Sequence, residues 1–201
     1  MFSGLVSNDA HIVKIDKNDK VITMTVKTHP EGLTDVKVGD SIAVNGCCLT
    51  VEAFTSDSFT VTMMPQTWDK TTFKKAQVGD QVNIERSIAL GKRFEGHIVL
   101  GHVDETVKVI DRKQNENAIE LWFERPERLK NQLVSQGSVA LNGTSLTIMR
   151  TEAAAFSVGL IPHTQEESNL GKLKIGDDVN LETDVIAKYV EANMKRLNGV
   201  D

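Results

Sequence analysis

Two small side chains with chemical potential stand at matching places in the chain. Cys48 lies in Asn45-Gly46-Cys47-Cys48-Leu49-Thr50-Val51, and Ser145 lies in Asn142-Gly143-Thr144-Ser145-Leu146-Thr147-Ile148. Each directly precedes a Leu-Thr pair just after an Asn-Gly turn. A thiolate at Cys48 could act as nucleophile or base if a cation lowered its pKa. Taken alone, a free cysteine is usually a quiet buried hydrophobe. His97 and His102 flank Gly101, and either could activate a thiol or shuttle a proton near neutral pH. A single histidine is more often exposed or packed in a core. Thr50, Thr67, Thr147 and Thr164, with Ser41, add a repeated set of hydroxyls. They suit recognition of a polyol or a heterocycle edge, although threonine on a strand is common without any function. No Cys-x-x-Cys or His-x-x-x-His spacing supports a metal site. No phosphate loop or Gly-x-Gly-x-x-Gly fingerprint supports a nucleotide cofactor.

The elements that must position these residues occur twice. Motifs correspond at a constant offset of 97 positions over a long stretch. Phe59-Thr60-Val61 answers to Phe156-Ser157-Val158. Met64-Pro65-Gln66-Thr67 answers to Ile161-Pro162-His163-Thr164, and Val78-Gly79-Asp80 to Ile175-Gly176-Asp177. Phe2-Ser3-Gly4-Leu5-Val6 answers to Val99-Leu100-Gly101-His102-Val103. A register held that long implies two copies of one domain. Duplicated sites suit a reaction on two similar molecules.

Within the first copy, Ile12–Ile15, Val21–Val26, Ser41–Val44, Cys48–Phe54, Ser58–Met64 and Gln81–Arg86 read as short strands. Lys17-Asn18-Asp19-Lys20 and Asn45-Gly46 read as turns, the latter tolerating positive φ at both residues. Six short strands at close spacing favour a closed barrel or sandwich. Residues 87–97 lose the alternation and read as a linker. The second copy opens with strands over Thr106–Ile110 and Ala118–Phe123. Pro126–Val134 reads as a short helix with proline near its start. Asp184 can cap a terminal helix over Val185–Leu197, with Ile186, Tyr189, Val190, Met194 and Leu197 on one side. Its own barrel or an oligomer contact must cover that stripe. The expected divisions are 1–97, 98–185 and a terminal helix over 186–201.

The chain has 201 residues, 40% apolar and 25% charged, with a net charge of −5. That is ordinary for a soluble globular protein and argues against a nucleic-acid partner. Each half alone is near the size at which only about 60% of the chain's surface is buried, so the halves should lean on each other or on a neighbouring chain. Cys47 and Cys48 are the only cysteines. As sequence neighbours they make poor disulfide partners, and free thiols suit a reducing compartment. No leader-like segment and no apolar run of about 18 residues is present. The expectation is a cytoplasmic protein without a membrane contact.

These motifs together resemble riboflavin synthase of the alpha-chain, lumazine-binding-repeat type. The resemblance rests on the opening Met1-Phe2-Ser3-Gly4-Leu5-Val6, Ser41–Val51, Gly96–Asp104, Gly137–Ile148 and Leu160–Thr164, in order and in register. It implies an all-β fold of two tandem six-stranded Greek-key barrels plus a C-terminal helix, assembled as a homotrimer. It implies a dismutation of two 6,7-dimethyl-8-ribityllumazine molecules to riboflavin and 5-amino-6-ribitylaminouracil, without a cofactor. In the family the working site joins the N-terminal barrel of one subunit to the C-terminal barrel of another. The resemblance leaves open an association with a lumazine synthase assembly.

Carried over by motif, substrate contacts fall at Gly4, Leu5 and Val6, at Cys48, Leu49 and Thr50, and at Thr62, Met63, Met64, Pro65, Gln66 and Thr67. In the second copy they fall at Gly101, His102 and Val103, at Ser145, Leu146 and Thr147, and at Gly159, Leu160, Ile161, Pro162, His163 and Thr164. Ser41, Gln136 and Asp184 complete the set. Cys48, His102 and Ser145 are the expected catalytic groups. Gln66 stands where many members have glutamate, Gln136 where lysine is common, Glu95 for glycine, Asn142 for aspartate and Thr72 for asparagine. These departures touch ligand affinity more than fold. The alternative is a lumazine-protein-like binder without turnover, which should lack the Ser145 motif and the terminal helix.

Overall fold

A computed structural model of the chain describes residues 1–18, 20–91 and 93–199. Asp19 of the first expected turn, Lys92 of the expected linker and the last two positions of the terminal segment lie outside the described residues. The first barrel consists of β1 (Ser7–Lys17), β2 (Ile22–Lys27), β3 (Ser41–Val44), β4 (Cys47–Phe54), β5 (Ser58–Met63) and β6 (Gln81–Arg86). Its strands neighbour one another as β1-β2-β5-β4-β3-β6 and close back on β1. β3, β4 and β5 form a meander and β6 returns beside β3, which is a Greek key. Alternation drives the closure. Ile22, Met24 and Val26 of β2 are fully buried, while Thr23 and Thr25 face outward and meet Thr62 and Thr60 across β5 at 3.3 and 3.0 Å. Such cross-strand pairs hold the register on the outer face.

The second barrel repeats the plan with β7 (Glu105–Asn115), β8 (Ala118–Glu124), β9 (Ser138–Leu141), β10 (Thr144–Thr151), β11 (Ala155–Leu160) and β12 (Asp178–Thr183). The duplication reaches the irregularities. Bulges lie between Ile12 and Lys14 and between Val51 and Ala53. Their counterparts lie between Val109 and Asp111 and between Ile148 and Arg150. Bulges bend a strand locally, so both barrels curve at the same places.

The helix expected over Pro126–Val134 is instead one 3-10 turn, Glu127–Leu129. The Arg125 guanidinium donates to the carbonyls of Lys130, Leu133 and Glu152. Two of those carbonyls belong to the segment itself and are turned toward the arginine, which ends the helix. Two six-residue helices, α1 (Pro65–Lys70) and α2 (Pro162–Glu167), were not evident from periodicity. Each starts at a proline, whose missing N–H costs nothing at a first helical position. The terminal helix α3 spans Val185–Leu197, and Asp184 accepts a cap hydrogen bond from Ile186 N at 2.8 Å. Ile186, Tyr189, Val190, Met194 and Leu197 all remain exposed, so the protein's own barrel does not cover the apolar stripe. Among the described residues no helix is long and apolar enough to cross a membrane.

The barrels join about a pseudo-twofold axis through their Asn-Gly turns. Asn45 and Asn142 both have φ of 44°. A Cβ on Gly46 would stand 2.5 Å from Gly143 N, and one on Gly143 would stand 2.8 Å from Gly46 N. Only glycine permits that approach. Asn83 Nδ2 donates to the Asn142 carbonyl at 2.9 Å, and Asn180 Nδ2 to the Asn45 carbonyl at 2.8 Å. Asn83 Oδ1 accepts from Asn169 N, and Asn180 Oδ1 from Thr72 N. The Asn83 and Asn180 amides buried between the barrels thus find partners, as burial demands.

Candidate active site

Each copy opens with a segment that lies against the other barrel. Phe2 and Val99 exchange backbone hydrogen bonds at 2.8 and 3.1 Å on the pseudo-axis, in a small cluster with Ala43 and Ala140. Beyond them the two segments diverge. Gly4 O accepts from Ser145 N, and Gly101 O accepts from Cys48 N, both at 2.9 Å. Gly4 and Gly101 have φ of 83° and 80°. A Cβ on Gly101 would stand 2.5 Å from Cys48 Cβ, and one on Gly4 would collide with Ser145 in the same way. Val103 is buried in the first barrel's core although it follows the opening of the second copy.

Two buried carboxylates fasten these segments. Glu85 accepts from Ser3 N, Ser3 Oγ and Gly4 N at 2.7, 2.9 and 3.0 Å. Glu182 accepts from Leu100 N, Gly101 N and His102 N at 2.7, 2.9 and 3.0 Å. Burial raises both carboxyl pKa values, and the hydrogen bonds from the segments work against that rise. On β6 and β12 these glutamates occupy the outward face, which ordinarily meets solvent. The opening segments of their own copies lie over them.

Cys48 and His102 line one cavity of about 290 Å³ together with Gln66, Thr67 and Gly101. Of the two thiols, Cys47 points into the core. Burial pushes it up to about 12, with the charges of Cys48 and Glu182 adding to the rise. Cys48 is half-buried at the cavity and is the thiol available for chemistry. Ser41 pairs with Thr50 across β3 and β4, and Cys48 and Thr50, two residues apart, share the outer face. Thr62 donates to Glu52 at 2.6 Å. Met64 and Pro65 lead into α1, which carries Gln66 and Thr67.

The surroundings of Ser145 in the second copy differ in kind. His97 Nδ1 lies 2.7 Å from Ser145 Oγ. Burial lowers the His97 pKa, while the charge of Asp184 works in the opposite direction. His97 Nε2 is buried without a hydrogen-bond partner among the described residues. Thr147 is exposed two residues further along β10. Ile161 and Pro162 lead into α2, which brings His163 and Thr164 to the places that Gln66 and Thr67 hold in the first copy. Leu5 is exposed, and Val6 reaches Gly143. Gly159 pairs with Glu120 on β8.

The side chains of Leu49, Met63 and Val103 belong to the first core, and those of Leu146 and Leu160 to the second. Val103 also lines the Cys48 cavity. Gln136 is exposed in a turn with φ of 65°, the place that Gly39 holds in the first copy. His97 stood in the sequence as an unassigned histidine. Its repeated neighbour Ser145 was visible, but nothing local paired the two. Glu85 and Glu182 carried the signal of recurring at the same offset on an outward strand face.

The Lumazine binding domain family matches this chain twice, over residues 3–87 and 100–184. The chain is 38% identical to riboflavin synthase of Actinobacillus pleuropneumoniae over 191 residues, covering 95% of this chain and 88% of that one. It is 38% identical to riboflavin synthase of Bacillus subtilis over 198 residues, covering 98% and 92%. Among solved structures it is similar to LumP complexed with riboflavin, with a TM-score of 0.84 and 28% identity over 91% of this chain and 99% of that one. LumP complexed with 6,7-dimethyl-8-(1'-D-ribityl) lumazine superposes with a TM-score of 0.82 at the same identity. With two matched lumazine-binding domains and such relatives along nearly its whole length, the chain belongs to the riboflavin synthase family and is an enzyme of that family.

Proposed function

We propose that the protein converts two molecules of 6,7-dimethyl-8-ribityllumazine into riboflavin and 5-amino-6-ribitylaminouracil. One observation carries the reading. Cys48 and Ser145, equivalent in the two copies, are each held by a 2.9 Å hydrogen bond to a glycine from the other copy's opening segment. Paired pockets of one descent suit two molecules of one compound, while the exchange of thiol for hydroxyl suits two different roles.

In this reaction the C7 methyl of one lumazine loses a proton and its ring delocalises the charge. A nucleophile adds at C7 of the other. One molecule surrenders a four-carbon unit and leaves as the diaminouracil, and the other gains it and becomes riboflavin, so no outside oxidant or reductant is required. Orientation of two like rings can supply about 7–11 kcal/mol of the acceleration. Cys48 and His102 are assigned to one ring, and Ser145 to the other with Thr147 at its edge. The hydroxyl of Thr67 and the amide of Gln66 suit ribityl hydroxyls.

The exposed apolar side of α3 supports a homotrimer in which a first pocket faces a second pocket of a neighbouring subunit. The trimer offers an outer surface on which a lumazine synthase assembly could act as partner. The two free thiols fit the cytoplasm. A binder without turnover is the second reading. The likeness to LumP favours it, while retention of Ser145 and of α3 speaks for the enzyme. Purified protein mixed with the lumazine should yield riboflavin, followed by absorbance and fluorescence. Tight binding with no product would turn the conclusion to the binder, and no binding would remove both.

A further inference from the structure

We propose that the two equivalent sites are held crosswise: Glu182 of the second barrel positions the site at Cys48 in the first, and Glu85 of the first barrel positions the site at Ser145 in the second. Both glutamates are positioning residues that act through a peptide of the opening segments. The relay is short and continuous. Glu182 Oε2 receives Gly101 N and His102 N, and the carbonyl of Gly101 receives Cys48 N. Glu85 Oε2 receives Gly4 N, and the carbonyl of Gly4 receives Ser145 N.

The residue type follows from the backbone. Successive N–H groups around a residue of positive φ converge into a cradle for an anion. Gly4 and Gly101 supply that conformation, and the glutamates are the resident anions. A carboxylate can accept every convergent N–H, whereas an amide must turn its own donors toward one of them. Glu182 also fixes the backbone of His102, which lines the Cys48 cavity. β12, which carries Glu182, pairs with β7 and β9 of the second barrel and with no strand of the first among the described residues. Asn180 of the same strand bonds directly to Asn45 and Thr72 of the first barrel, but the hydrogen bonds of Glu182 itself go to the opening segment, so its path to Cys48 runs through Gly101. The link to turnover rests on the function proposed above, but the crossed geometry does not.

The test needs no substrate. Cys48 is the accessible thiol, and its reaction with iodoacetamide reports how firmly the segment covers it. Glu182→Gln should speed that reaction about tenfold, the order expected when one charge-assisted hydrogen bond is lost, with a larger gain for Glu182→Ala. Glu85→Gln should leave the rate near that of the parent. In a Cys48→Ser, Ser145→Cys background the reporter moves to the second pocket, and the order of the two substitutions should invert. Equal effects of both glutamates on both reporters would mean general loosening and would overturn the proposal, as would no effect from either. Should the substituted chains not fold, amide exchange on the parent protein decides. Leu100, Gly101, His102, Ser3 and Gly4 should exchange as slowly as β12, and exchange at the rate of exposed loops would overturn it. Absence of turnover in the parent would remove the proposed function and leave these rates untouched.

Discussion

His97 and Ser145 share a hydrogen bond of 2.7 Å although 48 positions separate them. Burial holds the His97 imidazole below its usual 6.5, against the charge of Asp184. The unfolded chain therefore takes up a proton in a pH window where the folded protein does not. Stability should rise with pH across that window and be lost as pH falls from 6.5 through the folded value. Urea midpoints should show this slope in the parent and a flatter one in His97→Asn; equal slopes would clear His97 as the source. Ser145→Ala should strand a second buried ring nitrogen and cost about 1–3 kcal/mol.

Cys48→Ser places the same small hydroxyl at the equivalent position of both copies. Turnover should fall by about a hundredfold or more if the thiol takes part in proton transfer or addition. The melting temperature should stay close to the parent's, because oxygen replaces sulfur without a change of branching. Near-normal rates would remove the thiol from the mechanism.

Asn169 Nδ2 donates to Asn45 Oδ1 at 3.0 Å, and Asn142 Nδ2 donates to Asn169 Oδ1 at 3.2 Å. At the equivalent place in the first copy stands Thr72, whose Oγ1 is buried without a partner among the described residues. Thr72→Asn should complete the inter-barrel network and add about 1 kcal/mol. A calorimetric scan should show a rise of about 2–4 °C. A fall would show that the amide does not fit beside Asn142.

Removal of residues 185–201 should yield a monomer in light scattering, with both barrels still folded by circular dichroism. Only a few polar links tie α3 to its own barrel, among them Glu191 with Gln132 and Lys188 with Asp104. A trimer that survives the deletion would move the subunit contact elsewhere.

Much of the architecture was legible because its signals are local. Strand alternation, the turns at Asn45 and Asn142 and the cap at Asp184 each depend on neighbours within a few residues. The six-residue helices were too short to express a period. The segment at Pro126 failed because Arg125 takes its carbonyls, a contact that no propensity reports. For the site, Cys48 and Ser145 stood out through the repeat, while Glu85 and Glu182 carry no local sign of the segments that cover them. Alternation tells which face a side chain takes, not what will come to cover that face.

By itself the chain determined that one barrel is made twice, since a constant offset must yield the same strands, turns and bulges from the same local preferences. Only the tertiary structure decided that the opening segments cross between barrels, pairing Gly101 with Cys48 and Gly4 with Ser145. Those contacts join backbone groups far apart in the sequence. A backbone hydrogen bond has no residue code to announce its partner, so the pairing is set by docking alone.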